Sequence, residues 1–180
     1  PMFAGVSLSA PAFQWSQPRL TFAELTASGA FTMPMTVDDF TFKAAGLSTA
    51  GRVDFGPEGL EQVVLKDLQI ANWLSAEITL VNRGAGKPMR ILVTDGSLDL
   101  RKFPQSTSQD AGDAGPAAPL AVNLRQLQIS DSLTLTNVAA EFAGGLSAGG
   151  LFSAKVNGGT LISGRMSGHD DNLRLDLVSQ

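Results

Sequence analysis

Cysteine and tyrosine are absent from this chain of 180 residues, which also holds only two tryptophans and one histidine. Without thiols there is no disulfide framework and no thiolate metal site. The absence of tyrosine and the scarcity of tryptophan are unlike most enzyme or recognition pockets. Basic residues are outnumbered, 13 Lys and Arg against 17 Asp and Glu for a net charge of −4, and they are scattered rather than striped. Nucleic acid is therefore excluded as a partner. Long apolar runs are missing too: Gly, Ser, Asn or a charge interrupts every stretch before the roughly 18–20 residues that a membrane-spanning helix needs. The opening PMFAGVSLSAPAF has no basic region leading into an unbroken apolar one, so it does not read as a signal peptide, and a chain that starts at Pro1 is expected to be a fragment or a processed chain.

Glycine is plentiful at 19 residues, alongside many Leu, Val, Thr, Ser and Ala, a composition suited to a β protein with tight turns. Strict alternation recurs along the chain, whereas helical spacing is hard to find. Phe40, Phe42 and Ala44 alternate with Asp39, Thr41 and Lys43, and Val53 and Phe55 with Arg52 and Asp54. Leu74, Ala76, Ile78 and Leu80 stand opposite Ser75, Glu77 and Thr79; Phe152, Ala154 and Val156 opposite Ser153 and Lys155; Leu173, Leu175 and Leu177 opposite Arg174 and Asp176. Period-two patterns of this kind predict antiparallel strands with one apolar and one wet face. VNRGAGKP at 81–88 and VNGGTL at 156–161 supply residues that tolerate positive φ and read as hairpin turns. The expected architecture is all-β: a curved, mainly antiparallel meander over 1–180, forming an elongated groove or a half-open sandwich. At most one short helical turn is expected, near 98–104 and closed by Pro104. The Ser-, Gly-, Asp- and Pro-rich stretch 105–119 has little to bury and is expected to be a flexible loop between strands of one sheet.

Two phrases echo along the chain. GLSTAGRVDF at 46–55 resembles GLSAGGLFSA at 145–154, and LKDLQIANWL at 65–74 resembles LRQLQISDSL at 124–133. The two offsets differ, so there is no fixed repeat period of the solenoid kind. The Gly-Leu-Ser phrases read as turns that launch a fresh strand. In the Leu-Gln-Ile phrases the apolar parity slips, from Val63 and Leu65 to Leu68 and Ile70, and from Val122 and Leu124 to Leu127 and Ile129. A β-bulge at the charged pair restores one face, and bulges curve sheets.

Candidates for chemistry are few. His169 in SGHDDN lies beside Asp170 and Asp171, but neighbours on a turn diverge, and a metal site needs ligands from elsewhere. No Gly-x-Ser-x-Gly elbow joins a strand to a helix, GAGKP at 84–88 has Pro where a phosphate loop has Ser or Thr, and the aspartates lack calcium-loop spacing. No catalytic, metal or cofactor site is assigned, and the chain is not expected to be an enzyme. An extended sheet with one apolar face must cover that face, either with another sheet or with a greasy ligand.

The runs AAGLSTAGRVDFGPEGLEQVVLKDLQIANWLSAEITL and RILVTDGSLDLRKF, then PLAVNLRQLQISDSLTLTNVAAEFAGGLSAGGLFSAKVNGGTLISGRMSG, together resemble the AsmA-like superfamily, and within it the YhdP-type, TamB-related proteins. The marks are Gly96, Leu98, Asp99, Leu100 and Arg101 before the loop, and the later strands Leu135–Phe142 and Ala154–Gly159, within roughly 38–178. The resemblance implies a segment of a long protein anchored in the inner membrane of a Gram-negative envelope, its periplasmic part a β-sheet with an apolar groove that moves phospholipid toward the outer membrane. The implied partners are phospholipid or another acyl-chain ligand, neighbouring β segments of the same parent chain, and envelope proteins. The groove wall is expected to draw on Phe40, Phe42, Val53, Phe55, Leu74, Ile78, Leu80, Phe152, Val156, Leu173, Leu175 and Leu177, which equally suit the core of a closed sandwich. Two alternatives stand beside lipid carriage: a β-scaffold for outer-membrane assembly whose edges pair with neighbours, and, far behind, a hydrolase using His169.

Overall fold

A computed structural model describes residues 2–3, 9–10, 15–16, 21–30, 32, 35–103, 118–144, 149–169 and 172–179. Its described residues hold strands and turns and no helix. Three two-residue strands open the chain, β1 (Met2–Phe3), β2 (Ser9–Ala10) and β3 (Trp15–Ser16). Longer strands follow: β4 (Ala23–Ala30), β5 (Thr36–Ala44), β6 (Leu47–Gly56), β7 (Gly59–Ile70), β8 (Leu74–Val81) and β9 (Arg90–Asp99). The remainder are β10 (Leu120–Gln128), β11 (Thr134–Phe142), β12 (Gly150–Val156), β13 (Leu161–His169) and β14 (Asn172–Ser179).

One 12-stranded sheet takes these in the order β1-β4-β5-β6-β7-β8-β9-β10-β11-β12-β13-β14, and β2 pairs with β3 in a separate ladder. Sequence neighbours are space neighbours from β4 onward, as a meander requires. The first and last strands do not pair, so the sheet stays open. The all-β, mainly antiparallel expectation holds.

The hairpins form where turn chemistry allows them. Ala45 and Gly46, the latter at φ 76°, close the β5–β6 hairpin between the paired Ala44 and Leu47. The first Gly-Leu-Ser phrase is thus a strand starter, its glycine in the left-handed region and its leucine the first strand residue. In the second phrase residues 145–148 lie outside the described residues, and β12 begins only at Gly150. The 81–88 loop is held by Asn82, whose Oδ1 accepts from Gly84 N at 2.9 Å while its Nδ2 donates to Leu60 O at 2.8 Å. Asn157, at φ 46°, opens the β12–β13 turn, and its side chain accepts from Thr134 N and donates to Ser132 O, tying that turn to the one between β10 and β11.

One junction departs from the meander. β10 runs parallel to β9, from Leu120 opposite Ile91 to Gln128 opposite Asp99. Parallel neighbours demand a long return path, and the Pro- and Gly-rich stretch supplies it. Of the 105–119 loop only 118 and 119 are described; its two flanking strands are adjacent in one sheet. Near 98–104, where the sequence allows at most one short helical turn, the described residues form the end of β9 and a hydrogen-bonded turn. Leu98 and Asp99 remain in the strand, and Lys102 N donates to Asp99 O and Phe103 N to Leu100 O.

Parity slips coincide with bulges. Between Leu65 and Leu68, β7 spends three steps against two on β8, with Asp67 at φ 50°. The second Leu-Gln-Ile phrase behaves differently. β10 shows no register shift against β9 or β11, because those strands carry matching extra residues: Asp95 at φ 47° puts β9 out of step with β8, and Asn137 at φ 51° puts β11 out of step with β12. Three strands bulge together around Asp95, Arg125 and Asn137, and Arg125 Nε pairs with Asp95 Oδ1 at 2.5 Å. A bulge row bends the sheet across several strands at once.

Candidate functional site

Cross-strand pairing places the apolar residues of successive strands on one face. On β5 and β6, Phe40 stands opposite Gly51, Phe42 opposite Thr49 and Ala44 opposite Leu47. Val53 pairs with Val63, which pairs with Leu80; Leu65 pairs with Ile78, and Ile70 with both Leu47 and Leu74. The same face continues through Leu80 and Ile91, Ile78 and Val93, and Leu74 and Leu98 to Val122, Ala140 and Phe152. Directly opposed residues share a face, so Phe40, Phe42, Val53, Phe55, Leu74, Ile78, Leu80, Phe152 and Val156 all line this one. Leu173, Leu175 and Leu177 lie in β14, where their backbones are in register with Gly168, Met166 and Gly164 of β13. The reverse face presents Thr41, Lys43, Arg52, Gln62, Glu77, Thr79, Asn123 and Lys155.

The most deeply buried side chains lie in the middle of the apolar face. Leu68, Ile70, Trp73 and Ile78 form one cluster, with Leu47, Leu65, Val93 and Phe103 packed against it. Ala76, Leu124, Val138 and Ala154 form the next, with Val122, Leu127 and Ile162 around them. Ile78 is 2% exposed although no second large sheet lies over it among the described residues. The deepest burial thus lies on the apolar face, which is called the inner face below. Toward the flanks Phe40, Phe42, Val53, Phe55, Phe152 and Val156 are only half-buried.

Alternation alone does not find several members of this face. Leu68, Ile70, Leu124 and Val138 lie beyond or beside the bulges, where parity is broken, and the slip in the Leu-Gln-Ile phrases is the signal that recovers the first two. Trp73 and Phe103 carry no periodic signal. Trp73 sits in the turn between β7 and β8, Phe103 follows β9, and their rings meet edge to face at 4.9 Å between centroids. They cap one end of the inner face.

Outside this cap lies an ionic cluster. Arg101 grips Asp99 with two hydrogen bonds, Nε to Oδ1 at 2.8 Å and Nη2 to Oδ2 at 2.7 Å, and reaches Asp131 with Nη1 at 2.6 Å. Lys102 Nζ stands 3.5 Å from Asp99 Oδ2. The Arg101 hydrogen bonds hold the Asp99 carboxyl down at about 2, and Asp99 and Asp131 in turn push Arg101 above its ordinary range. Asp99 and Arg101 are two of the residues that carry the family resemblance, and here they clamp the chain as it leaves β9.

Groups of His, Asp and Glu able to hold a metal do not occur among the described residues. His169 is the last residue of β13, opposite Asn172, and Asp170 and Asp171 lie outside the described residues. No helix among the described residues is long and apolar enough to cross a membrane. Comparison with protein-family models, curated proteins and solved structures finds no match to this chain.

Proposed function

We propose that this chain is a periplasmic segment of an inner-membrane-anchored, AsmA-like envelope protein of the YhdP type, and that its inner face carries phospholipid between the two membranes of a Gram-negative cell. The observation that supports the reading is the face itself: apolar residues of β4–β13 share one side of an open sheet, and no second large sheet covers it among the described residues. Acyl chains need walls that are apolar, tolerant in shape and poor in fixed polar groups, and no polar or charged side chain is buried among the described residues. Transport along such a wall requires no catalytic residue, so the reading is of a carrier and not an enzyme.

Native mass spectrometry of the chain purified from a membrane-containing host tests this. Co-purifying phospholipid is expected, together with crosslinks to lipid from photoreactive residues at Phe42 and Leu80. Lipid-free protein with no crosslink at either position overturns the proposal.

A second reading is favoured by β14, the last strand in the sheet order, which has no further strand beside it among the described residues. An unpaired edge offers backbone donors and acceptors to a further strand. On this reading the chain is a β-scaffold that joins neighbouring segments of its parent chain, or envelope partners, without conducting lipid.

A further inference from the structure

On the reverse face a cleft of about 380 Å³ lies at the strand ends beside the β7–β8 turn. Its floor is one row in register across four strands: Gln69 of β7 opposite Ser75 of β8, Ser75 opposite Ser97 of β9, and Ser97 opposite Gln126 of β10. All four are exposed, and all four carry an amide or a hydroxyl. The side chains of Gln69, Ser75 and Ser97, and of Asn72 in the turn, make no hydrogen bond among the described residues. Gln126 is held in place, its Nε2 donating at 3.3 Å to Gln128 Oε1, which also accepts from Thr134 Oγ1 at 2.7 Å, and its own Oε1 is left unused. The charges beside the row cancel: Arg101 bonds both Asp99 and Asp131, and Lys102 stands next to Asp99, so two cations face two carboxylates. Such a surface selects neither an anion nor a cation. Amides and hydroxyls both donate and accept, as sugar hydroxyls do. Neighbouring strands stand about 4.7–4.9 Å apart, close to the length of one pyranose ring in an extended β-1,4-linked chain.

We infer that this cleft binds a neutral, extended β-linked glycan, whose chain runs across the strands so that successive rings lie over successive members of the row. Gln69, Ser75, Ser97 and Gln126 hydrogen-bond the ring hydroxyls, and the Asp99–Arg101 pair borders the site. Trp73 also lines the cleft, at 6% exposure, and serves as its reporter. The inference goes beyond the lipid-carrier reading and is independent of it, because the apolar wall is on the opposite face.

The test titrates the whole chain, with Trp15→Phe so that Trp73 is the single indole, against cellotriose and maltotriose, two glucose trimers that differ only in linkage. Emission and calorimetric heat are read together. Saturable binding of cellotriose is expected, with a dissociation constant on the order of 1 mM, and maltotriose binds severalfold more weakly. The double variant Gln69→Ala, Gln126→Ala weakens cellotriose binding about tenfold, the scale of one or two lost hydrogen bonds. Asn123→Ala, on the same face but outside the cleft, leaves it unchanged. Circular dichroism checks that the double variant is folded; if it is not, Ser75→Ala and Ser97→Ala decide, each expected to weaken binding severalfold. No saturable binding of cellotriose, equal or tighter binding of maltotriose, or unchanged affinity in the folded cleft variants overturns the glycan site. Displacement of cellotriose by inorganic phosphate assigns the cleft to an anion at Arg101 and Lys102 and also overturns it.

Discussion

Phe40 lies directly across the β5–β6 ladder from Gly51, and a Cβ added to that glycine would stand 3.0 Å from the ring's Cε1 and 2.0 Å from the Val64 carbonyl oxygen. The corresponding glycine of the second Gly-Leu-Ser phrase, Gly150, lies opposite Phe142, where an added Cβ would come within 2.6 Å of the ring. What the two phrases share structurally is therefore less their opening turn than their sixth residue, a strand glycine that a phenylalanine from the neighbouring strand covers. A glycine in a strand interior costs backbone entropy, and the ring supplies the missing contact on the inner face.

Gly51→Ala consequently destabilises the protein, although alanine is ordinarily the better strand residue. Forcing a methyl against a backbone carbonyl in a packed site costs about 1–3 kcal/mol. Gly159→Ala is the control: an added Cβ there meets only the Val156 carbonyl oxygen at 3.5 Å, so its change stays within about 0.5 kcal/mol. Urea denaturation of the two variants beside the wild type measures both.

The bulge row makes a different demand. Asn137 holds φ 51° inside β11, a conformation that costs residues with a crowded Cβ about 1–2 kcal/mol. Asn137→Val should lose roughly that amount, and Asn137→Gly should be close to neutral. If the two variants unfold at the same urea concentration, backbone conformation is not what selects asparagine at this position.

The Trp73–Phe103 contact reports on the cap. Removing the Phe103 ring opens the edge of the buried indole to water, so the emission of Phe103→Ala shifts to the red, and stability falls by the ring-pair term of about 0.5–1.5 kcal/mol plus the lost burial. Unchanged emission would mean that Trp73 is shielded by the sheet alone. The second tryptophan, Trp15, is replaced by Phe in both proteins so that the signal is single.

Asp99 gives the pH dependence its sign. Its folded-state value of about 2 lies below the ordinary carboxylate range because Arg101 hydrogen-bonds the charged form. A depressed value contributes stability that is present above the unfolded pKa near 4 and is lost as pH falls through about 2. Urea midpoints of wild type and Asp99→Asn should therefore differ at pH 6, draw together below pH 4 and meet near pH 2. A constant gap across that range would assign the difference to something other than ionisation.

Much of this architecture is legible in local pattern. Alternation around Phe40, Leu74 and Phe152 set the strands and their inner face, and the parity slip between Leu65 and Leu68 located the β7 bulge at Lys66 and Asp67. The rest depends on pairings that no local pattern records. The slip between Leu124 and Leu127 looked like the same solitary bulge, yet β10 stays in register because Asp95 and Asn137 bulge beside it. That is a property of three strands together. Composition marked 105–119 as a loop but carries no direction of return, so the parallel β9–β10 pair was not legible. Gln69 and Gln126 sit far apart in sequence, and only the fold sets them in one row with Ser75 and Ser97.

Lipid carriage and scaffolding part company at Phe42 and Leu173. Phe42 is half-buried on the flank of the inner face, where an aspartate remains partly hydrated and the sheet can still form. Leu173 lies in β14, which pairs with β13 and has no strand on its other side among the described residues. Phe42→Asp interrupts the apolar wall and leaves β14 intact; Leu173→Pro constrains β14 and leaves the wall on β5–β12 intact. If the inner face carries acyl chains, Phe42→Asp lowers co-purified phospholipid severalfold in a protein whose urea midpoint stays near that of wild type, and Leu173→Pro retains most of its lipid. If the chain works as a scaffold, loss of the parent protein's function in cells follows Leu173→Pro, while Phe42→Asp supports growth as the wild type does.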